Sequence, residues 1–449
     1  MQRVYSSIRD VLKRFSLTKK WHMELEGAEK DVGEPPAKRT RADDIKWMRN
    51  KKMALYVSYI GQGYSGMQRN DGVKSIEEDL LNALVEIGAI MDDHRKHTDK
   101  IRFQRCSRTD KGVSAAINVV SLKMAMTQDR LKQLNECLPD KIEAIGFLRT
   151  TRSFDAKLAC TARSYGYLTP TFAFAPTHAK TRRDFRMTDD IRARVQSLLT
   201  RFTGTHKFHN FTSRKGPADD SAQRYITNFT CGEPFVRNDV EFVMLLVRGQ
   251  SFLLHQIRKM IGLVIAVVQG HTSDEAIDRA WKPEKMDVPR APALGLFLNQ
   301  PYYDFYNKKY GNDGVHQPID FDLYKERIEA FKAKIHDVIV KTELRENSMM
   351  HWLDTLGLHT YVDGEGTKDE GVKEKTEVQE NDEKAISQDE GVEEKADVED
   401  NVDDEKAISQ EEEEEEGVEE KAEVQENVDE KAMSQVSHEK GDSEAKQME

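Results

Sequence analysis

A single aspartate set among cations offers the sharpest chemistry in this sequence. Asp110 lies within Arg105-Cys106-Ser107-Arg108-Thr109-Asp110-Lys111-Gly112-Val113, a polar turn in which Gly112 permits tight backbone geometry beside the acid. Arg105, Arg108 and Lys111 flank it. Neighbouring cations favour the ionised form of a carboxylate, which makes Asp110 a ready nucleophile or base. Taken in isolation, the same residues are a charged turn between two strands. A second polar pattern lies far downstream: Ser251, His255, Arg258 and Gly262 recur at intervals of four, three and four. Between them stand Phe252, Leu253, Ile257, Met260 and Ile261, so the spacing predicts a helix over 251–269 with one polar, small stripe on an apolar body. An arginine in such a helix needs a counter-charge or a solvated cleft, because an unpaired buried charge is very costly. Asp110 is the natural partner; otherwise Arg258 extends to a solvent edge.

The elements that must position these groups can be read from periodicity. Val120, Leu122 and Met124 alternate as a strand directly after the Asp110 turn. Upstream, Leu55, Val57 and Tyr59 alternate likewise and lead into the glycine-rich segment 61–68, which lacks the Lys-Ser/Thr of a phosphate-binding loop. Ser75-Ile76-Glu77-Glu78 is a capping box opening a helix with Ile76, Leu80, Leu84 and Ile87 inward. Leu131, Leu134 and Leu138 mark another helix, stopped by Pro139, and 145–148 reads as a strand. The run 159–168 is strand-like, with Tyr165 and Tyr167 on one face and Arg163 beside them; paired tyrosines of this kind are commonly core. A helix at 191–202, a strongly apolar strand at 240–247 and a helical stretch at 319–356 follow. His206 and His209 have no acid or cysteine at ligand spacing, so they read as packing or RNA-contact residues, not as a metal site. Strand–helix alternation occurs twice, over 55–148 and 159–298. That predicts an α+β fold of two similar α/β lobes, each a mainly antiparallel sheet with helices on one side.

Charge separates the chain into a body and a tail. Residues 363–449 hold 35 acidic and 10 basic side chains, a net of −25, whereas 1–362 hold 45 acidic and 58 basic, a net of +13. A basic body points to a polyanionic partner, nucleic acid first. The tail repeats Asp-Glu-Lys-Ala-Ile-Ser-Gln at 382 and 404, and its scarcity of large apolar residues predicts disorder. At the other end, Arg3, Arg9, Lys13, Arg14, Lys19 and Lys20 surround an apolar helical stripe, as in a mitochondrial presequence or a basic RNA-contacting arm, and Lys38-Arg39-Thr40-Arg41 resembles a nuclear import cluster. The expected location is therefore the nucleus, the mitochondrion or both. Four cysteines, 106, 137, 160 and 231, show neither metal-ligand spacing nor a disulfide framework, which predicts a reducing compartment. The longest apolar run, at 263–268, is too short to cross a membrane.

Several of these segments resemble one family. Arg108-Thr109-Asp110-Lys111-Gly112-Val113 is similar to the R-T-D-x-G-V signature of the TruA-type tRNA pseudouridine synthases, in their eukaryotic branch. The segments 59–68, 163–167, 202–208, 252–262 and 291–298 resemble further motifs of that family in the same order, so the likeness covers about 53–305. The resemblance implies two lobes joined across a central basic cleft with the Asp turn at its floor. It implies Asp110 as the catalytic residue, Tyr165 as the tyrosine that stacks on the target uracil, Arg258 as the partner of the Asp, and Arg108 on phosphate. It implies isomerisation of uridine to pseudouridine in tRNA, and in other structured RNA, with no cofactor, no metal, no membrane and no obligate protein partner. The domains expected are a basic arm (1–50), an N-terminal catalytic lobe (51–155), a C-terminal catalytic lobe (156–310), a helical extension (311–362) and the acidic tail (363–449). The alternative is a non-catalytic RNA-binding or tRNA-folding protein on the same scaffold. A carboxylate facing polyanionic RNA would serve no purpose in a pure binder.

Overall fold

The computed structural model describes residues 51–70, 72–176, 183–213 and 215–361. The N-terminal arm, the 38–41 cluster, most of the basic segment 178–183 and the acidic tail lie outside the described residues. Strand β1 (Lys52–Tyr59) pairs antiparallel with β3 (Ser114–Lys123) on one side and β4 (Ile142–Arg149) on the other, and the short β2 (Gln104–Arg105) adds to β3. In the second half, β5 (Ala162–Pro170) pairs antiparallel with β9 (Val240–Gly249), which pairs with β7 (Gln223–Cys231) and β8 (Phe235–Arg237); β6 (Gly204–Lys207) closes the edge on β7. The last strand, β10 (Leu296–Tyr302), runs antiparallel to β5 and makes a short parallel contact with β3, Phe297 opposite Ser114 and Leu298 opposite Ala115. The two lobes expected from the sequence thus share one ten-stranded, mostly antiparallel sheet in the order β4-β1-β3-β10-β5-β9-β7-β6. Their seam is that parallel contact, four residues beyond Asp110.

Helices cover both faces of the sheet, which departs from the one-sided arrangement expected. In the N-terminal half, α1 (Ile76–Glu86) and α3 (Gln128–Cys137) bury Ile76, Leu80, Leu84, Leu131 and Leu134 with Leu55, Val57, Val120 and Leu122 of the strands. A short α2 (Asp92–Lys96) lies between those two helices in the chain. Ser75 caps α1 by accepting from the Glu78 amide at 3.2 Å. In the C-terminal half, α4 (Asp189–Thr200) and α5 (Gln256–Gln269) pack Val195, Leu198, Leu199, Met260 and Val264 into a core with Phe229, Val243 and Leu245. Short helices α6 (Glu275–Arg279) and α7 (Asp304–Tyr310) follow. The long α8 (Lys325–Glu346), with α9 (Ser348–Leu353) after it, lies on the opposite face from α1. Tyr56 meets Tyr324 edge-on at 5.7 Å, and Phe297 meets His336 at 5.5 Å. Alternate residues of β1 therefore enter different cores, and all eight are buried. Burial on both faces excludes water from the whole strand and anchors what it supports.

Candidate active site

The Asp110 turn is held from beneath by buried hydrogen bonds. Tyr59, at the end of β1, and Asn118, in the middle of β3, are both fully buried. The Tyr59 hydroxyl shares a 2.8 Å hydrogen bond with the Thr109 hydroxyl, and the Asn118 Nδ2 donates to the Ser107 carbonyl at 2.9 Å and to the Tyr59 oxygen at 3.2 Å. Buried polar groups persist where they are satisfied, and a satisfied network fixes a single geometry. The glycine-rich segment is the side wall of this turn: the Met67 amide donates to the Thr109 carbonyl at 3.0 Å and the Gly112 amide to the Tyr64 carbonyl at 3.2 Å. Gly66, at φ +121°, brings its backbone so close that a Cβ there would sit 2.8 Å from the Thr109 oxygen. Gly112 takes φ +77°, which lets the Val113 amide close the turn on the Asp110 carbonyl at 3.0 Å. On this rigid base Asp110 is exposed.

Beside the turn opens a cleft of about 240 Å³ lined by residues of both halves, among them Ser107, Arg108, Lys157, Arg163, Tyr165 and Phe252. Tyr165 stands on β5 with its hydroxyl 2.6 Å from the Ser107 hydroxyl and its ring edge-on to Phe252 at 5.4 Å. Burial pushes its phenol up to about 12, so it is a neutral hydroxyl and an aromatic surface at neutral pH. The Asp110 charge acts in the same direction, which places Tyr165 within the field of that carboxylate. Arg163 crosses the seam: its Nη2 and Nε donate to the Cys106 carbonyl at 2.8 and 3.2 Å, and its Nη1 donates to the Gln250 carbonyl at 3.2 Å.

Arg258 reaches the site from α5, where its Nε donates to the Ala291 carbonyl at 2.7 Å. Burial, with the like charge of Arg290, lowers its guanidinium to about 10, while Tyr167 and Asp110 act the other way. It remains a cation at neutral pH, sensing both Asp110 and a second arginine. Arg290 is placed by its Nη1, 3.2 Å from His255 Nδ1. The close approach of α5 to the 289–291 segment depends on Gly262, where a Cβ would collide with the Pro289 carbonyl.

Two expectations are corrected here, and the packing reading of His206 and His209 is the one the structure bears out. The helix carrying Arg258 begins at Gln256, not at Ser251, because His255 is in the left-handed region at φ +63° and breaks the repeat before it. Ser251 reaches the cleft from the preceding loop instead. Arg105 does not serve Asp110: its Nη2 forms a 3.0 Å ion pair with the buried Glu77 on α1, since alternation along β2 turns it away from the turn three residues later. His206 stacks on Trp281 at 4.4 Å, and His209 donates to the Lys282 carbonyl at 2.8 Å, so both pack locally. Sequence reasoning had singled out Asp110, Tyr165, Arg258 and Arg108. It missed Ser107, Asn118, Tyr59 and Phe252, whose roles arise from contacts between strands and carry no local signal. A larger hollow of about 360 Å³, between β10 and the segment preceding α8, contains none of these residues. Among the described residues no group of His, Cys, Asp and Glu is arranged to hold a metal, and no helix is long and apolar enough to cross a membrane.

The seam of this mixed sheet thus sets the segment 106–108, next to Asp110, against Tyr165 and Phe252 of the other half across one cleft. The family model described as tRNA pseudouridine synthase matches residues 198–304, a span that includes Arg258. The mouse protein named pseudouridylate synthase 1 homolog is 45% identical over 337 residues, covering 73% of this chain and 80% of its own. The human protein of the same name is 46% identical over 338 residues, covering 73% and 79%. The Yarrowia lipolytica protein named tRNA pseudouridine synthase 1 is 32% identical over 390 residues, covering 67% and 73%. The chain belongs to the TruA-type tRNA pseudouridine synthase family, in its eukaryotic branch.

Proposed function

We propose that this protein isomerises uridine to pseudouridine in tRNA through Asp110. The observation that carries the reading is the cleft beside the Asp110 turn, where Tyr165 of the other half stands 2.6 Å from the Ser107 hydroxyl, within a chain whose family match spans Arg258. In the reaction the N1–C1′ bond of uridine breaks, the freed uracil turns in the cleft, and C5 bonds to C1′. The proton on C5 passes to solvent and N1 gains one, so atoms balance without a redox step or a group donor. Asp110 acts at this centre as nucleophile or base. Arg258 orients the carboxylate, and the Tyr165 ring stacks on the extruded uracil, which has left the helical stack to reach the cleft. Arg108, with the other cations around the cleft, holds phosphates.

The +13 body supports binding to other structured RNA as well, since charge attracts the backbone without reading sequence. The basic stretches at 1–20 and 38–41 support residence in the mitochondrion, the nucleus or both. The test is Asp110→Asn, which keeps shape and removes charge. Release of tritium from C5-labelled uridine in tRNA should fall below about a hundredth of wild type, with tRNA affinity and melting temperature nearly unchanged. Retained turnover would refute a catalytic Asp110, and lost affinity would assign it to binding.

A further inference from the structure

Three stretches of backbone that line the cleft meet on one side chain. Arg163 lies on β5 two residues before Tyr165, and so on the same face of the strand. Its own backbone is fixed on both sides, paired with Gly249 of β9 and with Pro301 of β10. From there the guanidinium bridges outward. Nη2 and Nε donate to the Cys106 carbonyl at 2.8 and 3.2 Å, Nη1 to the Gln250 carbonyl at 3.2 Å, and Nη2 also to the Lys157 carbonyl at 3.4 Å. Among the described residues these hydrogen bonds all go to main-chain carbonyls and none to a carboxylate. We propose that Arg163 is a positioning residue for the isomerisation, the side chain that sets the Asp110 segment and the Phe252 loop about the Tyr165 ring.

Each tethered segment carries part of the cleft. Cys106 stands four residues before Asp110 and precedes Ser107, whose hydroxyl is 2.6 Å from that of Tyr165. Gln250 precedes Ser251 and Phe252, which both line the cleft, and Phe252 meets the Tyr165 ring edge-on at 5.4 Å. Lys157 is itself a cleft residue, on the link between β4 and β5. Two of the tethers have an opposing anchor. The Cys106 amide donates to the Val119 carbonyl at 2.8 Å, and the Gln250 amide donates to the Tyr225 carbonyl at 3.1 Å. A segment held by a strand on one side and by the guanidinium on the other has little room to drift. Most of the donors of Arg163 are spent on these carbonyls, so it acts on the reaction through the residues it holds.

Arginine suits this task and lysine does not. A planar guanidinium presents its donors in fixed directions, so one side chain serves carbonyls from three segments. A lysine keeps the charge but offers its donors from a single point, and the carbonyls it misses are released. Misplacing a reacting group by about 1 Å costs on the order of a hundredfold, so a fraction of that displacement lowers kcat by at least about tenfold. Attraction of the tRNA backbone depends on charge, which Arg163→Lys preserves, so KM should stay within about twofold of wild type.

The experiment compares the full chain with Arg163→Lys. Unlabelled protein is read by thermal melting and by steady-state tritium release from tRNA. Protein labelled with fluorotyrosine is read by fluorine NMR, the Tyr165 resonance being assigned by its loss in Tyr165→Phe. The expected result is a fall in kcat of at least about tenfold, KM within about twofold, and a melting temperature lowered by only a few degrees. The Tyr165 resonance should shift, while those of Tyr310 on α7 and Tyr361 beyond α9 stay in place. Turnover within about twofold of wild type or an unmoved Tyr165 resonance would overturn the proposal. So would a rise in KM that accounts for the whole loss, which would assign Arg163 to RNA binding, or a variant unfolded at assay temperature, which would make it a folding element. The kinetic arm rests on the isomerase reading. A wild-type chain without turnover would refute that reading, and the Tyr165 resonance would still decide whether Arg163 positions the ring.

Discussion

Removing one oxygen atom from Tyr59 tests whether the floor of the site positions Asp110 or merely fills space. The Tyr59→Phe side chain keeps the ring in the core with Val57 and Leu298, so no cavity larger than a hydroxyl forms. Two hydrogen bonds are lost, the 2.8 Å bond to Thr109 and the 3.2 Å bond from Asn118. Asn118 keeps its 2.9 Å bond to the Ser107 carbonyl, and its Oδ1 still accepts from the Val119 amide at 2.9 Å. The uncompensated loss is therefore chiefly at the Thr109 hydroxyl, which is only 6% exposed. A buried hydroxyl stripped of its partner costs about 1–3 kcal/mol. For a domain of this size that lowers the melting temperature by a few degrees, leaving the protein folded at assay temperature.

The catalytic effect should exceed the structural one. Thr109 adjoins Asp110, and freeing its side chain lets the turn relax by a fraction of an ångström. That displacement predicts a fall in kcat of about tenfold or more, with KM for tRNA changed less than about twofold, because the cations proposed to hold phosphate are untouched. The assay is steady-state tritium release, run beside thermal melts of the same preparation. A variant that melts lower yet turns over within about twofold of wild type would refute the positioning argument and leave Tyr59 a packing residue.

Other perturbations reach separate parts of the argument. Arg258→Met should cut turnover by at least about a hundredfold, and a double-mutant cycle with Asp110→Asn should show strong coupling; strictly additive effects would exclude the pair. Burial raises the Glu343 carboxyl on α8 from 4.5 to about 7, so the folded state holds its proton more tightly and stability falls as pH rises from about 4.5 to 7. Glu343→Gln should remove that decline and stabilise the protein at pH 8 by about 2–3 kcal/mol, read from denaturant melts across pH. Ending the chain at Val362 removes 25 net negative charges tethered to a +13 body. RNA affinity at low salt should then rise, with a steeper salt dependence, and an unchanged slope would show the tail to be a solvated appendage.

What could be read from residue types was the chemistry, and what could not was the partner of each side chain. Asp110 and Arg258 stood out because a carboxylate among cations, and a cation in an apolar helix, are anomalies that need no geometry to notice, whereas Tyr165, by residue type a core tyrosine, was singled out only by the family motif it resembles. Arg105 shows the limit of adjacency. Its place among the cations near Asp110 suggested a partner in the turn, but the side-chain alternation of β2 turned it to Glu77 on α1 instead. The segment 251–255 shows the limit of periodicity. Its spacing matched a helix, yet His255 adopts a left-handed φ that ends any repeat, and the approach of Arg290 to its ring is visible only in space. The second cover of the sheet escaped detection for a related reason. Alternation in β1 assigns Leu55 and Tyr56 to opposite faces without saying that both faces are covered, and the residues that bury Tyr56 come from 321 and 324.

The seam itself follows from this double burial. Two residues of parallel pairing between β10 and β3 are too little to hold two lobes together by backbone hydrogen bonds alone. They endure because α8, which covers Phe297 of β10 through His336, belongs to the same core that takes in Tyr56 of β1, while Leu298 enters the core beneath α1. The junction is thus clamped from both sides. Asp110, four residues before Ser114 on β3, inherits its position relative to Tyr165 on β5 from that clamp. A carboxylate on one lobe and an aromatic ring on the other can keep a fixed spacing only if the strand between them cannot slide.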